Sequence, residues 1–597
     1  MVSSRTVPPT PANAGLSPDI SREAYFAYRT KLNTIILTHY AAYLSALIGV
    51  FVLAHWLRHI AVRLHWSRTS SRILYPFVAS SRAVRRLVIR QFPGFTSVGH
   101  AVVVTIYVAL NATFSFYRID YSKSTELASR FGWMATANLV LVVFLALKNT
   151  PLAILPAYSY ERLNILHQIS GYATVLYCIL HACIYTSYFF MEGRIHVLQE
   201  EVVTAGIVLG FAMFFSVLAG MTLRRLNYEL FYIIHLVLFI VIVVTLGLHR
   251  PSFEHDKGLY ATVLIGALWF LDRLIRFCRL AYNSVNNEAT VHPLPNGGTQ
   301  IVLKKPLIRA RPGKHCYVWL PRIRAIETHP FTIIASDPME LIINTYSGFT
   351  RDLHTYASKN PGGSLKVSVE GPYGTHPDPM DFDKVVLVAG GSGATFTFGL
   401  AADMLGRMTE DSNQHIDFIW AIKGHDNLKW FTQHLNNLRS HTHASRIALK
   451  LHLTRLSATS PITPALDTLS RSISGTSVES SAISPMTPLE KSTGHPAISA
   501  PASLATLREI SEKDEVKDVY IHHTSASLSS SDLPILHGRP DTESLIRAAI
   551  ESVGREQRVL VAACGPAALL DVVRNTTASC VQVNGPAVEL HCEQFGW

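Results

Sequence analysis

The chain of 597 residues is poor in charge and has no paired cysteine motif. Asp, Glu, Lys and Arg make up only 16% of it, against 48% hydrophobic residues. With its positive mean hydropathy, the chain is too apolar for an ordinary soluble protein, and it is too long for one domain. Its 7 cysteines include no Cys-X-X-Cys pair. Neither a disulfide framework nor a thiolate zinc site is therefore indicated.

Other signatures are also missing. Residues 1–32 are polar and contain no apolar run behind a basic start, so no cleavable signal peptide is expected. No P-loop and no calcium loop of the EF-hand pattern occurs. The net charge of +11 could suggest nucleic acid, but the arginines lie beside apolar segments, as in membrane proteins. We therefore expect membrane lipid and no nucleic acid as a partner.

Seven apolar segments are long enough to cross a hydrocarbon core about 30 Å thick. The connection 58–97 contains eight arginines and no acidic residue, whereas the alternate connections are mixed or acidic. The positive-inside rule then predicts an N-terminal segment, 1–32, outside the membrane and a C-terminal half in the cytosol. The segments lie at about 34–57, 98–116, 131–148, 162–190, 202–222, 228–249 and 259–280.

Two of these segments each carry a pair of histidines fourteen residues apart. The fourth holds His167 and His181, and the sixth holds His235 and His249. Fourteen residues turn a helix to within roughly 40° of the starting face and advance it by about 21 Å. Two such helices facing each other would form two His–His pairs at two depths, which is the geometry needed to hold two hemes across a membrane.

Other roles for these histidines have to be weighed. A single imidazole in an apolar helix is more often a hydrogen-bonded core residue or an interfacial anchor. Four with one spacing are harder to assign in that way, because polar groups inside a membrane are costly and tend to be functional. Zinc would need its ligands around one point. The predicted orientation places His167 and His235 on the cytosolic side and the other pair on the outer side.

The pattern of the chain changes after residue 280. Short β-type runs separated by Pro, Gly and Asn fill 281–380 and predict a small antiparallel barrel. From 381 to the end, strands alternate with helical stretches, which predicts a parallel α/β sheet. Residues 456–534, rich in Ser, Thr, Ala and Pro, interrupt this region, and we expect a disordered insertion there.

A glycine-rich loop follows the first strand of the α/β region. It reads Gly390-Gly391-Ser392-Gly393-Ala394-Thr395 and stands between an apolar strand and a helical stretch. Glycines there let a phosphate approach the backbone, and the positive end of the helix stabilises its charge. The position of the loop therefore predicts a dinucleotide phosphate site.

The motif His329-Pro330-Phe331-Thr332 resembles the flavin-binding motif of the ferric reductase and NADPH oxidase membrane families. The order of features is also similar: the histidine pairs, this motif, the glycine-rich loop, Cys564-Gly565-Pro566 and a terminal aromatic. The resemblance covers about residue 98 to the end, without 456–534. It implies a six-helix heme bundle, here with one extra N-terminal helix (33–280), then an antiparallel β-barrel FAD domain and an NADPH domain of the ferredoxin–NADP reductase type.

The resemblance also implies which residues contact the flavin. His329, Pro330, Phe331 and Thr332 would line the flavin ring, with Thr332 able to hydrogen-bond near its reactive nitrogen. Gly348, Phe349, Thr350 and Arg351 resemble the segment that contacts the flavin pyrophosphate. The end of the chain, Glu593-Gln594-Phe595-Gly596-Trp597, resembles the end of the family, where an aromatic covers the flavin. Phe595 and Trp597 are alternatives for that position.

On the nicotinamide side, the resemblance implies that Gly390, Gly391, Gly393 and Thr395 bind the dinucleotide phosphates. Cys564, Gly565 and Pro566 resemble the loop beside the nicotinamide, and Thr332, Cys564 and Glu593 are the predicted catalytic residues. NADPH needs a cation near its 2′-phosphate. Arg539 resembles a Gly-Arg-Pro element of the family, and Lys423 and Arg455, which follow successive strands, are alternatives.

The implied reaction passes electrons from cytosolic NADPH through FAD and two b-type hemes to an acceptor outside. Flavin can convert a two-electron hydride into single electrons for heme iron. The acceptor would be Fe(III) chelates, or Cu(II), in a ferric reductase, and oxygen in an NADPH oxidase. The extra helix, residues 348–351, the insertion and the Trp-ending tail resemble fungal ferric reductases. That assignment implies a plasma-membrane site and an iron permease or ferroxidase as partner.

Two further alternatives remain open at this stage. A seven-helix receptor or transporter with a degenerate soluble tail would explain the apolar half, although the intact flavin and nucleotide motifs count against it. Acidic and histidine residues of the predicted outer loops could gather Fe(III) or could form an ordinary solvated anionic surface. They are Glu192, His196, Glu200, Glu201, Glu254, His255 and Asp256.

Overall fold

The computed structural model describes residues 18–63, 75–153, 160–249, 257–455 and 535–593. All of them belong to one compact unit. The predicted insertion 456–534 lies outside the described residues, and so do Phe595 and Trp597.

Seven of the described helices are long and apolar enough to cross a membrane, which confirms the seven predicted apolar segments. Two shorter helices, α2 (Tyr75–Val88) and α7 (Leu223–Leu226), lie between them. Residues 58–97 were predicted to be a connection without a helix, so α2 was not predicted. The seven are α1 (Pro18–Arg63), α3 (Val98–Phe116), α4 (Ser124–Ala146), α5 (Tyr160–Met191), α6 (Glu201–Met221), α8 (Tyr228–Leu248) and α9 (Lys257–Ser284).

A buried polar network joins α1 to the helices that follow it. The Tyr40 and Tyr107 hydroxyls both donate to Asn138 Oδ1, at 2.9 and 2.6 Å. Asn138 Nδ2 in turn donates to Asn111 Oδ1 at 2.8 Å. Because unsatisfied polar groups are expensive in an apolar bundle, these bonds fix α1 against α3 and α4.

The first soluble domain is a seven-stranded antiparallel sheet in the order β6-β1-β2-β5-β4-β3-β7, as predicted for the FAD-binding barrel. One helix, α10 (Phe349–Lys359), follows β5. The strands are β1 (Glu288–Leu294), β2 (Gly298–Leu303), β3 (His315–Trp319), β4 (His329–Ser336), β5 (Met339–Asn344), β6 (Gly363–Lys366) and β7 (Ser368–Tyr373).

The second soluble domain is a six-stranded parallel sheet in the order β11-β10-β9-β8-β12-β13, flanked by helices. The parallel α/β architecture was predicted, but β11 and β13 were not. Its elements are β8 (Lys384–Gly390), α11 (Ala394–Arg407), β9 (His415–Ile422), α12 (His425–Leu428), α13 (Thr432–Ser440), β10 (Ile447–Leu453), β11 (Ile535–His537), α14 (Thr542–Glu551), β12 (Arg558–Cys564), α15 (Ala567–Cys580) and β13 (Ala587–Glu593).

Helix α9 carries the membrane bundle directly into the barrel. Arg276 makes two hydrogen bonds to Glu370 of β7, Nε to Oε1 at 2.7 Å and Nη2 to Oε2 at 3.0 Å. Asn283 Nδ2 donates to the Val369 carbonyl at 2.8 Å. Arg276 and Glu370 are both buried, and a bidentate pair of this kind fixes orientation as well as distance.

The two soluble domains meet where α11 packs on the barrel. A Cβ added at Gly399 would lie 3.0 Å from the Gly313 nitrogen and 3.3 Å from the Ile333 carbonyl oxygen. Only a glycine therefore lets the helix approach the middle of β4 this closely.

We expect Gly399→Ala to separate the two domains, because the added methyl group meets backbone that cannot move aside. Overpacking of this kind costs about 1–3 kcal/mol. The control is Gly406→Ala on the same helix, where a Cβ meets nothing within 4 Å and helix propensity should increase stability. Thermal unfolding of the purified protein measures both. Equal melting temperatures for the two variants would contradict the close-packing argument.

Candidate cofactor and electron-transfer site

The four predicted histidines meet in two pairs inside the membrane bundle. The ring centroids of His167 and His235 are 6.4 Å apart, with the planes at 74°. Those of His181 and His249 are 6.2 Å apart, at 88°. Helix α5 supplies one member of each pair, and the other comes from α8 or the residue that ends it.

Each of these imidazoles is hydrogen-bonded through Nδ1. His167 lies 2.9 Å from the Val142 carbonyl, His181 2.8 Å from Ala128 and His249 2.7 Å from Val202. A carbonyl can only accept, so these three Nδ1 atoms carry the proton and the Nε2 atoms keep their lone pairs. His235 Nδ1 lies 2.9 Å from the Ser216 hydroxyl. Such a bond on the far nitrogen is typical of metal-binding histidines.

Two glycines leave room for the pair His181 and His249. A Cβ on Gly132 of α4 would lie 2.7 Å from His181 Nδ1, and one on Gly206 of α6 would lie 2.4 Å from His249 Cε1. Neighbouring helices therefore approach each imidazole closely and limit its rotation.

The flavin motif forms the start of β4. His329 stacks on Phe349 with ring centroids 4.2 Å apart and planes at 19°. Burial lowers the pKa of His329 to about 4, so the ring is neutral near pH 7. Pro330 and Phe331 are half-buried beside it, whereas Thr332 is buried. Thr332 lies opposite His315 of the neighbouring strand β3.

The predicted pyrophosphate segment begins α10. Gly348 has φ of 75°, a conformation that favours glycine, and a Cβ there would lie 2.9 Å from Glu229 Oε1. Phe349 is only 1% exposed and packs in the barrel core. Thr350 Oγ1 accepts from the Tyr346 nitrogen at 2.8 Å, and Arg351 is exposed. Of the three side chains in this segment, that of Arg351 is therefore the exposed one.

The two loops of the nucleotide domain lie against each other. A Cβ on Gly393 would come within 2.3 Å of the Cys564 carbonyl oxygen, and one on Gly390 within 2.7 Å of Pro566. Gly565 also has little space for a side chain, since a Cβ there would lie 3.0 Å from the Gly390 nitrogen. These loops follow β8 and β12, where the strand order reverses, which is the usual position of a nucleotide in such sheets.

The rest of the glycine loop is held by its neighbours. Trp420 Nε1 donates to the Gly391 carbonyl at 3.1 Å, and Gly391 itself has φ of 58°. Thr395, buried at the start of α11, donates to the Ser392 carbonyl at 3.0 Å. The loop is therefore preformed at the beginning of the helix.

Cys564 and Glu593 lie side by side at the ends of β12 and β13. Burial raises the pKa of the Cys564 thiol, and the nearby Glu593 carboxylate raises it further, so the thiol stays protonated. His591 Nε2 donates to Glu593 Oε1 at 2.7 Å, and both residues are buried. His591 was not among the predicted site residues. The alternation of the apolar residues Val588, Leu590 and Cys592 with polar residues is the sequence pattern that could have indicated this strand.

The three candidate cations for a 2′-phosphate lie at one edge of the sheet. Lys423, Arg455 and Arg539 follow β9, β10 and β11, which are adjacent and parallel. All three are exposed. The structure therefore brings all three cations to the same edge of the sheet.

A charged cluster joins the start of α8 to the barrel. The ligand atoms of Glu229, Glu327 and His329 lie within 4.8 Å of one another. Arg324 Nη1 is 3.6 Å from Glu229 and 3.5 Å from Glu327, and its Nη2 is 2.7 Å from Asp352, so both carboxylates of the cluster already share an arginine. Of the predicted outer metal-gathering residues, Glu192, His196, Glu200 and Glu201 are on the surface and do not form such a group with any described residue; Glu254, His255 and Asp256 lie outside the described residues.

Three family models match the chain in the order of its domains. The ferric reductase like transmembrane component matches residues 131–246, an FAD-binding domain matches 283–377, and the ferric reductase NAD binding domain matches 382–578. Together the matches span more than half of the chain. The chain belongs to the ferric reductase family.

Several fungal ferric reductases are similar to the chain. Ferric reductase transmembrane component 4 of Saccharomyces cerevisiae is 25% identical over 85% of this chain and 68% of its own length. Ferric/cupric reductase transmembrane component 2 of the same yeast is 24% identical over 84% and 67%. The probable cell surface ferric reductase kap2 of Aspergillus oryzae is 25% identical over 61% and 53%.

These matches agree with the fold and with part of the predicted cofactor set. The chain is an integral membrane oxidoreductase of the ferric reductase family with FAD-binding and NAD-binding domains. Among solved structures, the Amycolatopsis cytochrome P450 reductase GcoB is similar at 14% identity over 52% of this chain and 70% of that chain, with a TM-score of 0.30.

Proposed function

We propose that this protein is a transmembrane ferric-chelate reductase. Electrons would pass from cytosolic NADPH through FAD and two b-type hemes to extracellular Fe(III), with Cu(II) as a second acceptor. The observation that carries the proposal is the pair of facing imidazoles at each of two levels, in a bundle joined directly to FAD-binding and NAD-binding domains.

The distances between the imidazoles support heme ligation. A metal bonds an imidazole nitrogen at about 2 Å, and the ring centre lies roughly 1 Å further, so two rings across one iron have centres about 6 Å apart. The observed 6.4 and 6.2 Å agree with this value. The Nδ1 hydrogen bonds to carbonyls leave the Nε2 lone pairs of His167, His181 and His249 available to a metal, so the residues present fit two bis-histidine sites.

The soluble residues support the proposed source of electrons. Flavin, when bound, accepts a hydride from nicotinamide and releases single electrons to heme iron. For this chain, Thr332 would hold the flavin edge, and Cys564 and Glu593 would line the nicotinamide side from the neighbouring sheet. Because Thr332, Cys564 and Glu593 are all buried, water would be excluded from the place where the hydride moves.

Iron as the acceptor is supported by the relatives, whose names describe ferric or ferric/cupric reductases. The proposed orientation follows from the arginine-rich connection 58–97, and it places His181 and His249 on the outer side. We further propose a plasma-membrane location and cooperation with an iron permease or ferroxidase that uses the reduced metal. Arg539 is the proposed 2′-phosphate cation, and Lys423 and Arg455 are the alternatives.

Removing one imidazole should remove one heme. We expect His167→Ala to lower the heme content of the purified protein from two per chain to one or fewer, because one of the two residues that would hold that heme is then lost. Pyridine hemochrome absorbance measures the content. The control is His39→Ala, an exposed histidine of α1, which should retain both hemes. A His167→Ala protein with two hemes would show that the ligand assignment is wrong.

The acceptor can be tested with membranes that contain the protein. NADPH should reduce a ferric chelate at the same rate with and without superoxide dismutase, since direct transfer needs no superoxide. Ferrous-chelate absorbance follows the reaction. If dismutase abolishes the ferric signal while NADPH is still consumed, oxygen is the acceptor and the protein acts as an oxidase.

Arg539→Ala should raise KM for NADPH while leaving KM for NADH nearly unchanged. A charge-assisted contact to phosphate contributes about 1.5–3 kcal/mol, so the expected rise is about tenfold or more. Steady-state kinetics with both nucleotides measures the ratio. Arg555→Ala, an exposed arginine before β12, is the matched control, and Lys423→Ala tests one alternative. An equal change for both nucleotides would exclude Arg539 from 2′-phosphate binding.

A further inference from the structure

Helix α2, which sequence analysis missed, has one face bound to the NAD-binding domain. Its less exposed residues recur with helical spacing at Val78, Arg82 and Arg85 and continue to Ile89 just beyond it. Arg82 Nη1 donates to the carbonyls of three residues that follow α15, at 3.2, 2.7 and 2.8 Å; they are Gln582, Val583 and Gly585. This face of α2 therefore contacts the NAD-binding domain.

Neighbouring residues extend the same contact. Ile89 packs against the hydrophobic core between β12, β13, α14 and α15, and the Gln91 nitrogen donates to Asn575 Oδ1 at 3.2 Å. Arg58, near the end of α1, forms an ion pair with Glu589 of β13. The N-terminal extra helix and α2 thus hold the NAD-binding domain from the membrane side.

The opposite face of α2 is apolar and exposed. Phe77, Val84, Leu87 and Val88 are 72%, 60%, 59% and 38% exposed. At about 100° per residue these four positions fall within an arc of about 100° centred opposite Arg82. Two arginines are also exposed. At about 100° per residue, Arg90 lies roughly 60° from Leu87, at the edge of the apolar face, whereas Arg86 lies roughly 40° from Arg82.

The location of α2 identifies what covers this apolar face. The helix stands in sequence between the membrane-spanning α1 and α3. Its end touches the first turn of α3: the Val98 nitrogen donates to the Arg90 carbonyl at 2.8 Å, and a Cβ on Gly99 would lie 2.4 Å from Val88 Cγ1. An exposed apolar face beside the end of a spanning helix is typical of a helix at a membrane surface.

We propose that α2 is a membrane-surface helix that holds the NAD-binding domain against the leaflet on the side of the soluble domains. Phe77, Val84, Leu87 and Val88 insert among acyl chains, as in other interfacial amphipathic helices. Arg90, at the edge of the apolar face, contacts anionic lipid headgroups, while Arg82 binds the domain from the other face. One helix therefore connects lipid composition to the seating of the NAD-binding domain, whichever acceptor the protein reduces.

Photocrosslinking tests the lipid contact in the full chain, reconstituted in lipid nanodiscs. A diazirine amino acid replaces Phe77 or, as the matched control, Ile89. We expect phospholipid adducts from position 77 and adducts to peptides of the NAD-binding domain from position 89, both read by mass spectrometry. Adducts from position 77 to peptides of this chain, such as 64–74 or 456–534, would show that protein covers the face and would overturn the proposal.

Hydrogen exchange of the α2 amides tests the arginine contact without relying on enzymatic activity. One set of nanodiscs is phosphatidylcholine alone, and the other contains one third phosphatidylserine. An arginine near an anionic surface should slow exchange about fivefold, so Arg90→Gln should remove up to about fivefold of protection in the anionic discs. Arg555→Gln should behave as wild type. Equal exchange of wild type in both kinds of disc, or an unchanged lipid dependence in the Arg90→Gln variant, would overturn the headgroup contact.

Discussion

The hydrogen bond on the far nitrogen of each paired imidazole is the constraint on which the membrane half depends. A carbonyl of α4 or α6 accepts from His181 or His249, and this bond fixes both the tautomer and the direction of Nε2. The bond requires the helices to lie close, and Gly132 and Gly206 make that approach possible. The spacing of the helices, the positions of the two glycines and the metal-binding tautomer of the histidines therefore depend on one another.

The soluble half depends on a similar constraint where it meets the membrane. Burial by itself would raise the pKa of Glu370, but the hydrogen bonds and charge of Arg276 outweigh burial and lower it. The pair therefore remains ionised, and losing one partner would leave a buried charge without compensation. Because β7 carries Glu370 and pairs with β3, and β3 pairs with β4, this junction also sets the position of the flavin motif relative to the bundle.

Much of the fold could be predicted because its signals are local. The lengths of the apolar segments predicted the spanning helices, and the fourteen-residue spacing predicted that His167 and His181 share one side of α5. Alternating short runs indicated the barrel, and the glycine loop marked the start of the parallel sheet. These patterns depend on residues near each other in the chain, so periodicity and turn chemistry suffice to find them.

The remainder depends on partners distant in the chain. The carbonyls that orient the imidazoles belong to other helices, and their spacing from the histidines carries no pattern. Helix α2 was missed because its arginines were read only as a topology signal, although its apolar and basic positions alternate with helical period. Strand β13 was missed because Glu589, His591 and Glu593 give it a polar face, and only the structure shows that this face is buried.

The unbroken passage of α9 from the bundle into the barrel limits how the chain can change in evolution. Inserting one residue before Arg276 would turn the following part of the helix by about 100° and advance it by about 1.5 Å. Arg276 and Asn283 would then both miss β7. If relatives exchange their soluble domains, the number of helical residues between the membrane bundle and Arg276 therefore has to stay the same. Insertions and deletions should concentrate in segments outside α9.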